Sequence, residues 1–350
     1  MPWNTVLAPS GRAFTVNAGE TVLKAARRQG LHLSHDCGSG SCGACRARLI
    51  SGHVHYPDGS PLALTALEVQ RGEVLLCRAV PLDELALDAQ EITASADLTI
   101  KTLPCRVMRM QRLNHDVEAL YLKLPAVERL AFLPGNYIDV LLPDGHRRSF
   151  SLANPPHDDG LLELHVRQVP GGRFTTEVFQ KLSKGALLQI QGPLGTFFLR
   201  EDEIARPILM VAGGAGFAPF KAILRHIFEC GPSRRIELYW GACAQRDLYA
   251  DALVTGWRQS QPQFKYVPVL SESLSSDHWR GRTGFVHAAI LAEHADLSGY
   301  DIYISGPPSM IEAARQTFPM QGADPRRMFS DPFDYAPEVR AAFEKRDVTA

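Results

Sequence analysis

Four of the seven cysteines in this chain are spaced Cys37-x4-Cys42-x2-Cys45, and Cys77 follows after 31 intervening residues. Thiolate sulfur is the soft ligand that iron–sulfur clusters require, and this spacing is that of a plant-type 2Fe–2S site. Gly38, Gly40 and Gly43 lie between the ligands. Glycine reaches positive φ and lets backbone N–H groups turn toward cluster sulfurs. The chemistry would be the movement of one electron at a time. Three other readings fit the same residues. A structural zinc site more often shows two short Cys or Cys/His pairs, and only one is present. Disulfides need an oxidising compartment and usually a small secreted chain. The four could also be ordinary buried cysteines. Cys105, Cys230 and Cys243 are scattered and read as small apolar residues.

A second group of residues suits a flavin dinucleotide. In Arg147-Arg148-Ser149-Phe150-Ser151-Leu152 a guanidinium, a ring and a hydroxyl alternate. On an extended strand Arg148 and Phe150 share a face. Arg148 is then placed to meet a phosphate bidentately, Phe150 to cover a flat ring and Ser151 to hydrogen-bond it. An edge strand with solvated arginines is the plain alternative. Further on, Gly171-Gly172-Arg173-Phe174-Thr175 reads as a glycine loop entering a helix whose first N–H groups hold a pyrophosphate. Two phosphate-compatible elements in one segment suit FAD.

A third group lies at the ends of apolar runs. Gly213-Gly214-Ala215-Gly216-Phe217-Ala218-Pro219 follows Ile208–Ala212 directly, although it is not the GxGxxG fingerprint. Gly241-Ala242-Cys243 and Ser305-Gly306-Pro307-Pro308-Ser309-Met310 end two later runs. Ligands of open parallel sheets sit at the carboxyl ends of strands, so three such turns predict a nicotinamide dinucleotide site. The 2′-phosphate of NADPH wants an arginine, but Val269-Leu270-Ser271-Glu272 offers a carboxylate. That favours NADH, with Arg246 and Lys265 as the residues that would compensate for NADPH.

These groups need three different scaffolds. Residues 1–95 show a hairpin (Thr5–Leu7, turn, Ala13–Val16), a helix from an N-cap at Thr21 to a stop at Gly30, the cysteine loop, and strands at Ala47–Ile50 and Val74–Cys77. That order is a β-grasp. A polar linker at Ala94–Asp97 follows. Residues 101–203 alternate short strands with turns, Asp144-Gly145 among them, and predict an antiparallel β-barrel. Residues 204–333 alternate apolar strands with helices, as in a parallel α/β sheet. Residues 334–350 read as a charged stretch or short helix, a solvated tail with a flavin lid or partner contact as the alternative. The net charge of −1 gives no reason to expect nucleic acid or an anionic membrane as partner. The N-terminus lacks the features of a signal peptide, and no run approaches a membrane span. A cytoplasmic location is expected.

The order of these motifs resembles the ferredoxin–NAD(P)H reductase superfamily. More narrowly it is similar to single-chain reductase components with an N-terminal plant-type 2Fe–2S domain, and most of all to the CDP-6-deoxy-glucoseen reductase-like group. The likeness runs to about Phe333. It implies electron flow from NADH through FAD and 2Fe–2S to a separate acceptor, either a terminal oxygenase component or a CDP-6-deoxyhexose dehydratase. By the same resemblance Arg148 and Thr175 would hold FAD phosphates, and Phe150 would stand where a tyrosine is usual against the isoalloxazine. Ser151 would bond near flavin N5. His165 and Val166 would lie along FAD, and Asp331 would close on the flavin. The glycines of 213–216, Gly241 and Gly306 with Pro307 and Met310 would border NADH. Ser151 and Ser305 are the catalytic candidates. Ala215 stands where threonine is common, and Ser305 where cysteine is; serine there is small enough to permit ring approach, which implies an altered rate rather than a lost function. A redox-sensing or interaction module with an inactive flavin site is the reading from another class.

Overall fold

The computed structural model describes residues 2–35, 38–89, 91–92, 98–231, 233–273 and 278–333. Cys37, the linker at 94–97 and the tail at 334–350 lie outside the described residues. The chain divides into two compact units, Met1–Leu98 and Thr99–Ala350.

The first unit begins with β1 (Trp3–Leu7), β2 (Ala13–Val16), α1 (Val22–Arg28), β3 (Arg46–Ser51) and β4 (Val54–His55). It continues with α2 (Ala66–Gln70), β5 (Glu73–Leu75), β6 (Val80–Pro81) and β7 (Leu85–Asp88). Its main sheet runs β2-β1-β7-β3-β5. The predicted hairpin pairs Trp3 with Val16, and β7 pairs parallel with β1. Val22, Leu23, Ala25 and Ala26 bury one face of α1 against the core of Leu7, Phe14, Val16, Leu75 and Leu87. The strand expected to reach Cys77 stops at Leu75. Beyond it the Leu76 N–H turns to the Cys45 carbonyl at 3.1 Å.

The second unit opens with β8 (Lys101–Arg112), β9 (Val117–Lys123), β10 (Tyr137–Leu141), β11 (Arg147–Ser151), β12 (Leu162–Arg167), α3 (Arg173–Gln180) and β13 (Leu187–Leu194). These strands form one six-stranded sheet, β11-β10-β13-β8-β9-β12, whose strand pairs are all antiparallel. An isolated bridge between Leu152 and Leu164 joins the continuation of one edge strand to the other edge. Along β8, Leu103, Cys105 and Val107 are buried in alternation with exposed residues, as a strand with one wet face requires.

The remainder is β14 (Ile208–Gly213), α4 (Phe217–Glu229), β15 (Ile236–Ala242), α5 (Asp251–Ser260), β16 (Phe264–Leu270), β17 (Arg282–Thr283), α6 (Val286–Glu293), β18 (Asp301–Gly306), α7 (Pro308–Thr317) and β19 (Met328–Pro332). The sheet order is β17-β16-β15-β14-β18-β19, parallel throughout. Every residue of β14 and β18 is buried; β14 accordingly reads as an unbroken apolar run, while β18 buries Asp301 and Ser305 toward its two ends. Among the described residues no helix is long and apolar enough to cross a membrane.

Candidate active site

The cysteine loop has the backbone conformation expected of one that wraps a cluster, although among the described residues no three side chains are already gathered around a metal position. Gly38, Gly40 and Gly43 all adopt positive φ, at 68°, 81° and 75°. The Ala44 N–H points at the Cys42 sulfur at 3.4 Å, the kind of backbone donor that steadies a ligating thiolate. Cys42, Cys45 and Cys77 are buried. Tyr56 packs against the core that contains Cys45 and Cys77, its hydroxyl accepts the Leu75 N–H at 3.2 Å, and burial raises its phenol. These three cysteines fit a 2Fe–2S cluster; Cys37, the fourth expected ligand, is outside the described residues. Cys105 is buried as expected, but Cys230 and Cys243 are exposed, so the reading as small apolar core residues holds for Cys105 alone.

In the antiparallel domain the rings of Phe150 and Phe174 meet at 5.5 Å. That contact brings the arginine strand β11 beside the start of α3, uniting the two phosphate-compatible elements. The N-cap of α3 is Gly172, which supplies no side-chain cap, and the first-turn N–H groups of a helix are natural anion donors. Thr175 Oγ1 hydrogen-bonds the Gly172 carbonyl at 3.1 Å and thereby folds the loop. Arg173 pairs with Asp144 at 2.9 Å, and Ser149 donates to Asp139 at 2.7 Å. Arg148 is half-buried on β11. Phe174 and Val166 are core residues, 2% and 0% exposed, so their side chains pack the domain. The His165 imidazole is buried and bonded on both nitrogens, to Glu163 and Tyr249, at 3.0 Å each.

Ser151 from β11 and Ser305 from β18 donate to the same oxygen, Oδ2 of Asp331, at 3.2 and 3.1 Å. Strand β19 carries Asp331 in direct register with Ser305. Burial raises the Asp331 carboxyl to about 6, against the pull of the two serine hydroxyls. Three residues far apart in sequence and drawn from two domains thus share one proton-bearing centre.

The glycine turns at the carboxyl ends of β14, β15 and β18 come together. Gly213 lies beside Gly241. A Cβ on Gly213 would meet Pro307 Cδ at 2.7 Å and the Met310 sulfur at 2.8 Å. Gly306 has φ 151° and approaches the Gly213 backbone. Gly214–Gly216 forms a 3-10 turn entering α4 without a side-chain cap, which suits a dinucleotide phosphate. Glu272 is exposed just past the carboxyl end of β16, where its N–H bonds the Cys243 carbonyl at 2.9 Å. Lys265, considered as a compensating cation for NADPH, is at the amino end of that strand. It is engaged by Glu237 at 3.1 Å and Glu293 at 2.7 Å, so it cannot serve. The sequence reading also missed Phe285, a ring 68% exposed at the N-cap of α6; an aromatic straight after Gly284 was its one signal.

Known proteins divide in the same way. A "2Fe-2S iron-sulfur cluster binding domain" matches residues 6–82. An "Oxidoreductase FAD-binding domain" matches 104–199 and an "Oxidoreductase NAD-binding domain" 210–316. The chain is 38% identical to the CDP-6-deoxy-L-threo-D-glycero-4-hexulose-3-dehydrase reductase of Yersinia pestis, covering 95% of this chain and 99% of the relative. It is 36% identical to DmpP, the reductase component of phenol 2-monooxygenase from Pseudomonas sp. strain CF600, covering 92% and 91%. Among solved structures, the Amycolatopsis cytochrome P450 reductase GcoB aligns with TM-score 0.72 and 32% identity over 95% of this chain and 98% of that one.

Proposed function

The chain belongs to the single-chain reductases that join a 2Fe–2S domain to FAD- and NAD-binding domains, and from that premise we propose an NADH-dependent reductase whose acceptor is an oxygenase component. When bound, FAD supplies the conversion of a hydride from the nicotinamide into single electrons for the cluster. The observation that carries the proposal is the convergence of Ser151 and Ser305 on Asp331. It puts one hydroxyl from the flavin-binding domain and one from the nucleotide-binding domain at a common point.

The protein's own part is binding, orientation and proton placement. Arg148 and the opening amides of α3 hold the flavin pyrophosphate, and Phe150 flanks the ring. The turn at 213–216 and Gly306 border the nicotinamide nucleotide. Ser305 stands at the end of β18 directly before Gly306 and is small, so it would take little room beside a flat ring. Asp331 orients both serine O–H groups and fixes where their protons sit. Glu272 supports NADH, because a carboxylate accepts from ribose hydroxyls and repels a 2′-phosphate.

Anaerobic titration with NADH, followed by visible absorbance and low-temperature EPR, tests this. Flavin bleaching and then a reduced 2Fe–2S signal are expected. A response to NADPH alone overturns the donor, and bleaching without a cluster signal overturns the route. A second acceptor, a sugar-nucleotide dehydratase, is favoured by the likeness to the Yersinia reductase. Cluster oxidation by each candidate acceptor separates the two.

A further inference from the structure

A buried chain of hydrogen bonds crosses the seam between the antiparallel domain and the parallel sheet, away from the Ser151–Asp331–Ser305 centre. It starts on β12. Glu163, buried, is bonded by Tyr121 at 3.2 Å and by His165 at 3.0 Å. Its other oxygen meets Lys221 of α4. Burial by itself pushes Glu163 up, but His165 and Lys221 outweigh it and hold the carboxyl at about 2. Burial also holds His165 below its ordinary value and lifts Tyr249 well above its own, so imidazole and phenol are both neutral. The polarity of the chain is thereby fixed. Nε2–H of His165 donates to Glu163, and the Tyr249 hydroxyl donates to Nδ1.

Tyr249 carries the chain onward by packing. Its ring stands edge-on to Trp240 at 5.2 Å, and Trp240 stacks on Phe217 at 4.3 Å. The Trp240 indole N–H then donates to the Gly214 carbonyl at 2.9 Å. A second residue of the same strand approaches Gly214. Arg167, held by Asp116 at 2.7 Å, lies so close that a Cβ on Gly214 would come within 2.9 Å of its guanidinium. Strand β12 is therefore linked to the Gly213–Gly216 turn through Trp240, and its Arg167 packs beside Gly214.

We propose that His165, Tyr249 and Trp240 are positioning residues that set the Gly213–Gly216 turn in register with β12, and so set the affinity for the nicotinamide nucleotide. This rests on the reading of that turn as a nucleotide-binding element. None of the three side chains need touch the nucleotide. The indole holds the turn by its carbonyl, which leaves the N–H groups of the turn facing the ligand, and Tyr249 and His165 hold the indole against the other domain.

The test is calorimetric titration of NAD+ into the fully loaded protein, with flavin content and melting temperature measured in parallel. Tyr249→Phe removes one hydroxyl and keeps the ring; Trp240→Phe removes the N–H to Gly214. Each is expected to weaken NAD+ binding about three- to tenfold, the worth of one hydrogen bond passed to a ligand site, with flavin content unchanged. A lowered melting temperature with wild-type NAD+ affinity in both variants would mean a purely structural role and overturn the inference. Ala215→Glu places a carboxylate in the turn itself. If it abolishes NAD+ binding while the two aromatic variants bind normally, only the positioning role fails. If Ala215→Glu binds NAD+ like the parent, the reading of the turn fails and the inference with it.

Discussion

Asp331 bears the sharpest consequence of any one residue. Its carboxyl keeps a proton up to about pH 6 in the folded chain, against an ordinary value of 3.8. Between those limits the native state binds more protons than the unfolded state, so stability falls as pH rises through that window and then levels off. Asp331→Asn should remove that part of the profile, worth on the order of 2 kcal/mol. Melting temperatures of both proteins from pH 4 to 7 check it, and parallel curves would refute the assignment. Removing either serine hydroxyl strips a donor from the carboxylate and should move the same inflection upward. Glu272 gives a second residue-level outcome. It is exposed past the end of β16, and Lys265 is committed to Glu237 and Glu293 at the other end. Glu272→Arg should therefore raise the NADPH-to-NADH ratio of kcat/KM about tenfold, one charge-assisted contact's worth. An unchanged ratio would place the ribose elsewhere.

At the scale of elements, the glycine turns hold the protein together as well as a ligand. A Cβ on Gly216 would overlap the Ser305 carbonyl, so the turn after β14 and the end of β18 touch backbone to backbone. Gly216→Ala should destabilise the chain by about 1–3 kcal/mol, as overpacking does, while Gly256→Ala, with nothing within 4 Å of the added carbon, should not; denaturant melts compare them. This packing role was not legible in the sequence, because glycine spacing is the same whether the neighbour is a phosphate or a carbonyl. What the sequence did carry was periodicity. The buried runs of β14, β15 and β18, the hairpin at Asp144-Gly145 and the α1 stop at Gly30 all stand where local pattern put them. Several short elements were left unread; one of them, β7, has four residues and gains its strand character from parallel pairing with β1, about eighty positions away in the chain. The Ser151–Asp331–Ser305 centre was legible as residues but not as a contact. Its members converge only once β11 has closed on the sheet carrying β18 and β19. His165 was legible as a seam residue from no local feature at all, since both its partners' roles are set by burial.

For the whole molecule, the division at Leu98 separates two kinds of chemistry. The cysteines proposed as cluster ligands lie in the first unit, and every residue proposed to meet flavin or nicotinamide nucleotide lies in the second. A lesion in the cluster loop should therefore leave hydride acceptance intact and stop the later single-electron transfer. Cys42 is the ligand to change, because it is buried and its sulfur already accepts the Ala44 N–H. Serine is close to it in size but offers a hard oxygen, a poor match for iron–sulfur chemistry. Cys42→Ser should retain FAD and bleach with NADH at the parent's rate. It should lose the cluster's EPR signal and nearly all electron delivery to the natural protein acceptor. Slowed bleaching in Cys42→Ser would show that the units are coupled in the hydride step. Undiminished delivery to the acceptor would show that electrons leave from the flavin and that the cluster is not on the path.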